Sequence, residues 1–82
     1  MFLEIYTPDK KVFEGEVDVT TLPGIDGSLQ ILNNHAPLIC PLGKGDLNYR
    51  KKKEVVNMVL EGGVVEVLNN KVTVLAETIH EE

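Results

Sequence analysis

The sequence has one cysteine, two alanines and no long apolar run, and each shortage argues against a class of protein. A single cysteine, Cys40, cannot form a disulfide within the chain, so the disulfide-rich secreted domains are excluded and a reducing compartment is favoured. The longest stretch without a formal charge, residues 27–43, contains amides, a histidine and two prolines, so it is too polar to span a membrane. Residues 1–4 lack the basic and apolar parts of a signal peptide, which predicts that the chain is not exported by that route.

Basic residues are also scarce. The chain has 8 lysines and arginines against 13 aspartates and glutamates, which gives a net charge of -5. Nonspecific nucleic-acid binding depends on counterion release by basic side chains, so we expect no nucleic-acid partner. Lys51-Lys52-Lys53 is a local basic run, which we interpret as a solvated hairpin tip.

The residues that are abundant favour strands. Valine occurs 11 times, isoleucine five times and threonine five times among 82 residues, and these β-branched side chains suit pleated, half-buried surfaces. The length allows one domain, so we predict a single all-β domain over residues 1–82. In the second half of the chain we expect strands over 46–50, 54–60, 64–68 and 72–77. Gly62-Gly63 and Asn69-Asn70 tolerate positive φ and are predicted to form hairpin turns.

Apolar residues are concentrated in three segments, 36–42, 63–68 and 72–76. Adjacent pairs such as Val64-Val65 place apolar side chains on both faces of a strand, so such a strand is covered on both sides. Two interpretations stay open. The excess is either an ordinary remainder of a small core or a surface that a partner covers.

Few side chains in this sequence suggest catalysis. It contains no glycine-rich phosphate loop, no paired-cysteine metal spacing and no nucleophile elbow, so we predict no catalytic residue, no metal site and no cofactor. Two alternatives remain: a small hydrolase built on His35 and Cys40, and a carrier domain with a cofactor on Lys71, which follows the Asn69-Asn70 turn.

Three segments carry a resemblance to a known family. LEIYTPDKKVFEGEVD, PGIDGSLQILNNHAPL and GGVVEVLNNKVTVLAE occur in that order between Leu3 and Glu77. They closely resemble the amino-terminal β-sandwich domain of the epsilon subunit of F-type ATP synthases. The resemblance implies a ten-stranded β-sandwich in a non-catalytic rotor subunit, which fastens the gamma subunit to the ring of c subunits and couples proton-driven rotation to ATP synthesis. It also implies a peripheral position on the cytoplasmic face of the bacterial inner membrane, with membrane contact only through the complex.

The resemblance assigns two sets of contact residues. Those expected to meet the c-ring are Asp26, Ser28, Gln30, Asn33 and Asn34, and those expected to meet gamma are His35, Pro37, Leu38 and Cys40. Related members often have an acidic residue at position 28, a glycine at 30 and a Pro-Gly pair at 33–34. We therefore expect neutral hydrogen bonds to the ring here instead of an ion pair.

Many epsilon subunits continue into a carboxy-terminal helical hairpin that inhibits ATP hydrolysis and, in some members, binds ATP. This sequence stops at Glu82, immediately after the segment that resembles the sandwich. The expectation is therefore a short form with no carboxy-terminal helical domain, no inhibition by a hairpin and no bound nucleotide.

Overall fold

A computed structural model describes residues 1–81, which form strands joined by short turns. Within these residues, no helix is long and apolar enough to cross a membrane. The predicted all-β class is confirmed. The seven strands are β1 (Phe2–Thr7), β2 (Lys10–Glu16), β3 (Val19–Gly24), β4 (Gly27–Leu32), β5 (Leu38–Lys51), β6 (Glu54–Leu68) and β7 (Lys71–Glu81).

The longest strands are too long to be straight. A 15-residue strand such as β6 would extend about 50 Å at roughly 3.3 Å per residue. The Cα atoms of the whole domain extend only 26 Å along the longest principal axis. The strand therefore bends, and the bend lies at Gly62 and Gly63, which both have positive φ (71° and 135°) and where the ladders to β5 and β7 skip a pair.

The bends fold one hydrogen-bonded sheet into two layers. The strand order is β2-β1-β7-β6-β5-β3-β4. The first layer contains β2, β1 and the halves of β7, β6 and β5 that comprise residues 71–76, 63–68 and 38–42. The second layer contains the other halves of β7, β6 and β5, together with β3 and β4. The expected count of ten strands is therefore wrong for this chain, because three strands continue through both layers and are each one strand.

The turn predictions have mixed outcomes. Asn69-Asn70 forms the β6–β7 turn with φ of 51° and 59°, as predicted. The lysine run forms the end of the β5–β6 hairpin, which is also confirmed. The predicted turn at Gly62-Gly63 is wrong, because these glycines bend a continuous strand.

The core lies between the layers and comes from alternate residues of each strand. In the first layer, β1 contributes Leu3 and Ile5, which are completely buried. The second layer contributes Leu47 and Leu60, also completely buried. Phe13 of β2 stacks on Tyr49 of β5 with ring centroids 4.3 Å apart, so an aromatic contact also joins the two layers.

Candidate interaction surfaces

The outer side of the first layer carries a group of exposed apolar side chains. Ile39 of β5, Leu68 of β6 and Leu75 of β7 are 71%, 49% and 50% exposed. Pro41 pairs with Val64, which pairs with Leu75, so these three residues form a row across the strands. Directly paired residues point to the same side of a sheet. We call this surface, formed by Ile39, Pro41, Val64, Leu68 and Leu75, the apolar face.

The apolar face consists of the three apolar-rich segments identified in the sequence. The sheet brings residues 36–42, 63–68 and 72–76 side by side in the first layer. One set of alternating side chains, including Val65, Val67, Val72 and Val74, fills the core, and the other set is left on the outside. A group of exposed apolar side chains on one face of a small domain is typical of a surface that a partner covers.

A polar cluster lies beside the apolar face on β1 and β7. The carboxylate of Glu4, nearly buried, accepts a hydrogen bond from the Tyr6 hydroxyl and forms an ion pair with Lys71 Nζ at 2.8 Å. The bond from Lys71, followed by the bond from Tyr6, lowers the pKa of Glu4, and the same carboxylate raises the pKa of Lys71 and of Tyr6. Lys71 is thus the first residue of β7, and its ammonium group is paired with Glu4. A lysine that carries a cofactor lies at the apex of a turn with a free amino group, so this geometry disfavours the carrier-domain hypothesis.

The four residues predicted to contact gamma lie at the start of β5 or just before it, next to the apolar face. Pro37 is exposed, whereas Leu38 and Cys40 are half-buried and pack against the core. Ile39, which is not among the predicted contacts, lies between them and points outward. Strand alternation contains the signal, because an inward Leu38 and Cys40 require an outward Ile39.

His35 and Cys40 make separate contacts. His35 Nδ1 lies 2.7 Å from the carbonyl oxygen of Ala36, and Cys40 Sγ donates to the carbonyl oxygen of Pro41 at 3.3 Å. Each side chain thus engages the backbone of the residue that follows it, and neither orients the other. A nucleophile needs a base within hydrogen-bond reach, so this geometry disfavours the hydrolase.

The five residues predicted to contact the c-ring are all exposed. They lie in β4, an edge strand of the sheet, or in the turns at its two ends. Asp26 lies in the β3–β4 turn, Ser28 and Gln30 lie on the outer side of β4, and Asn33 and Asn34 form the turn after it. β4 has six residues, so its two ends are separated by roughly 17–20 Å. The structure aligns the five residues along one edge and does not gather them at one point.

The Asn33-Asn34 turn also has structural contacts. Asn33 Oδ1 accepts a hydrogen bond from the amino group of Met1 at 2.5 Å, and the Asn34 N–H donates to Asn70 Oδ1 at 2.8 Å. Asn34 has a φ of 62°, which asparagine tolerates better than most residues. Gln30 pairs with Thr21 in a regular ladder, so its position does not require glycine.

Comparison with known proteins gives the family. The profile described as "ATP synthase, Delta/Epsilon chain, beta-sandwich domain" matches residues 1–82. The chain belongs to this family. Among its relatives named ATP synthase epsilon chain, that of Maridesulfovibrio salexigens is 46% identical over 77 residues and that of Pelotomaculum thermopropionicum is 46% identical over 74. The epsilon chain of Leptospira borgpetersenii is 41% identical over 75 residues.

The aligned region covers 94%, 90% and 92% of this epsilon-type chain but only 54%, 55% and 59% of those three relatives, in the same order. The chain thus spans little more than half the length of the epsilon chains it matches.

Two solved structures share the fold of this epsilon-type domain. A chain of the central stalk and c-ring structure of the Tetrahymena thermophila mitochondrial ATP synthase superposes with a TM-score of 0.83 at 24% identity, over 98% of this chain and 65% of that one. A chain of the Euglena gracilis mitochondrial ATP synthase gives a TM-score of 0.90 at 20% identity, over 96% of this chain and 51% of that one. These similarities support the β-sandwich fold.

Proposed function

We propose that this epsilon-type domain is a non-catalytic component of the rotor of an F-type ATP synthase. In this role it fastens the gamma subunit to the c-ring, so that ion-driven rotation reaches the sites of ATP synthesis. The observation that carries the proposal is the apolar face, which gives the domain a surface suited to permanent attachment. The bacterial relatives named ATP synthase epsilon chain support a location at the cytoplasmic side of a bacterial inner membrane, which is part of the proposal.

The apolar face is the proposed contact with gamma. Stable protein interfaces bury about 800 Å² on each partner and have an apolar centre with a polar rim. Ile39, Leu68 and Leu75 form such a centre, and the Glu4–Lys71 pair lies at its border. Pro37 and the half-buried Leu38 adjoin Ile39, so the gamma contact predicted from the resemblance is continuous with this face.

The proposed contact with the c-ring is the β3–β4 hairpin. Asp26 at its turn and Ser28 and Gln30 on the outer side of β4 belong to the second layer, whereas the apolar face belongs to the first. Two partners can therefore bind at once without competing for the same side chains. Ser28 and Gln30 offer hydroxyl and amide groups, which suit neutral hydrogen bonds to polar loops.

Binding to gamma tests the proposal. We expect the purified chain and the gamma subunit of the same organism to co-elute as a one-to-one complex in size-exclusion chromatography at micromolar concentration. Truncation of the minority of side chains that anchor the centre of an interface costs more than about 1 kcal/mol, so Ile39→Ser and Leu75→Ser should each weaken binding by roughly fivefold or more. Val55→Ser is the matched control, because Val55 is 56% exposed and lies in the second layer. Equal weakening by all three substitutions, or none by the first two, would contradict the assignment of the face.

A further inference from the structure

A single carboxylate lies within the apolar face. Glu66 is on β6 between Val64 and Leu68, which point to the same side of the strand. Ile39 of β5 and Thr73 of β7 are its direct partners across the sheet. The Glu66 side chain is therefore surrounded on four sides by apolar or neutral residues.

The space beside Glu66 is a shallow depression of about 450 Å³. Ile39, Leu68 and Pro37 supply apolar walls, and Glu66 supplies a carboxylate. The long side chains of arginine and lysine match this combination, because they bury an aliphatic stem along apolar surface while the charged end meets an acidic group.

Glu66 has no ion-pair partner among residues 1–81. Lys71 lies across from Leu68 on the same side of the sheet, but its ammonium group is 2.8 Å from Glu4. In the free domain, water solvates the exposed Glu66 carboxylate. A partner that covered the face without supplying a cation would remove that water and leave a charge unpaired, which strongly opposes binding.

We infer that the partner of the apolar face places an arginine or lysine over Glu66, and that this pair determines which surface the domain accepts. The inference rests on the proposed function, since it specifies the chemistry of the gamma surface that docks here. Burial of the apolar residues favours binding, and the unpaired charge of Glu66 disfavours binding to apolar surfaces that lack a cation at the matching position. Glu66 is thus a specificity-determining residue of the interface.

Calorimetric titration of the chain with the gamma subunit of the same organism tests this inference. Glu66→Gln retains size and polarity but removes the charge, and it should weaken binding by about tenfold or more, as loss of one partner of a buried charge pair does. Glu66→Lys should weaken binding further, because it sets two cations against each other. Glu54→Gln is the matched control, with the same change of charge on an exposed residue of the second layer, and it should bind like the unaltered chain.

A rescue experiment identifies the partner cation. Exposed arginines and lysines of gamma are replaced one at a time by glutamate and tested against the Glu66→Lys chain. We expect one replacement to restore binding, while the same replacement weakens binding to the unaltered chain. Thermal unfolding of each variant shows whether it is folded.

The outcomes separate this inference from the proposed function. In one outcome, Ile39→Ser weakens binding while Glu66→Gln binds as tightly as the unaltered chain, or more tightly. That result would disprove the inference that gamma places a cation over Glu66, and it would still support the apolar face as the gamma contact. If neither substitution changes binding, gamma docks elsewhere and both proposals are wrong. If the unaltered folded chain does not bind gamma, the proposed function fails first and the inference fails with it.

Discussion

Replacing Gly63 with alanine tests whether the bend of β6 requires a residue without a side chain. A Cβ atom at position 63 would lie 2.2 Å from the carbonyl oxygen of Leu75 and 2.9 Å from Cα of Ala76. Both atoms belong to the backbone of β7, so relief requires movement of a strand and not of a flexible side chain. The φ of 135° is also one that alanine rarely adopts.

Gly27 provides the matched control, because it has the same φ of 135° but, apart from its own atoms and those of its two chain neighbours, no atom within 4 Å of the point that an added Cβ would occupy. Gly27→Ala therefore measures the conformational cost alone, which is about 1–3 kcal/mol. Gly63→Ala adds the overlap with β7, and overpacking of this kind costs about 1–3 kcal/mol more. The sum, about 2–6 kcal/mol, is a large part of the roughly 4–12 kcal/mol expected for a domain of 82 residues.

Urea unfolding followed by far-ultraviolet circular dichroism gives the two losses of stability directly. We expect the Gly63→Ala midpoint to fall well below that of Gly27→Ala, or the variant to be unfolded without urea. Equal losses for the two variants would refute the argument that close approach of β6 and β7 requires Gly63.

Two further predictions concern a buried charge and a turn. Because Lys71 and Tyr6 lower the pKa of Glu4 in the folded state, its carboxylate stabilises the fold above its ordinary value of 4.5, and this contribution disappears as the pH falls through the folded value. Urea unfolding should therefore show Glu4→Gln less stable than the unaltered chain at pH 7, with the difference shrinking below pH 4.5; a difference independent of pH would contradict this. Asn34→Ala should lose about 1 kcal/mol in the same assay, because Asn34 has a φ of 62°, whereas Asn34→Gly should lose less; equal stability of the two would disprove it.

The two residue pairs with positive φ show how far local sequence signals extend. The sequence correctly indicates that Gly62-Gly63 and Asn69-Asn70 adopt left-handed backbone conformations. A turn, however, requires the flanking strands to pair with each other, and that holds only for Asn69-Asn70. Gly63 instead pairs with Leu42 on one side and Ala76 on the other, and these long-range partners keep β6 continuous.

The bend also disrupts the alternation from which strands are recognised. Before the glycines the buried residues of β6 are Met58 and Leu60, and after them they are Val65 and Val67. The inward side thus changes from even to odd positions within one strand. A period-of-two pattern that changes phase reads as two strands with a turn between them, so the sequence could not reveal one long strand.

The candidate site was partly predictable for a similar reason. The apolar excess in three segments was visible in the sequence, and alternation indicates which residue of Leu38, Ile39 and Cys40 points outward. The surroundings of Glu66 were not visible, because its neighbours Ile39 and Thr73 come from strands whose register is set by tertiary pairing. The expected partners come from the family resemblance. The shape and charge of the apolar face come from the register in which β6 pairs with β5 and β7.

In the proposed role the domain transmits force between two partners, and the continuous strands suit that task. The apolar face belongs to the first layer and the β3–β4 hairpin to the second. In a sandwich of two separate sheets, force between the layers passes only through side-chain packing. Here β5, β6 and β7 run through both layers, so covalent backbone and its hydrogen bonds join the two proposed contact surfaces. The close-packed core that the two layers share resists sliding of one layer over the other. Because the strands bend and do not end between the layers, the two proposed contact surfaces belong to one rigid body.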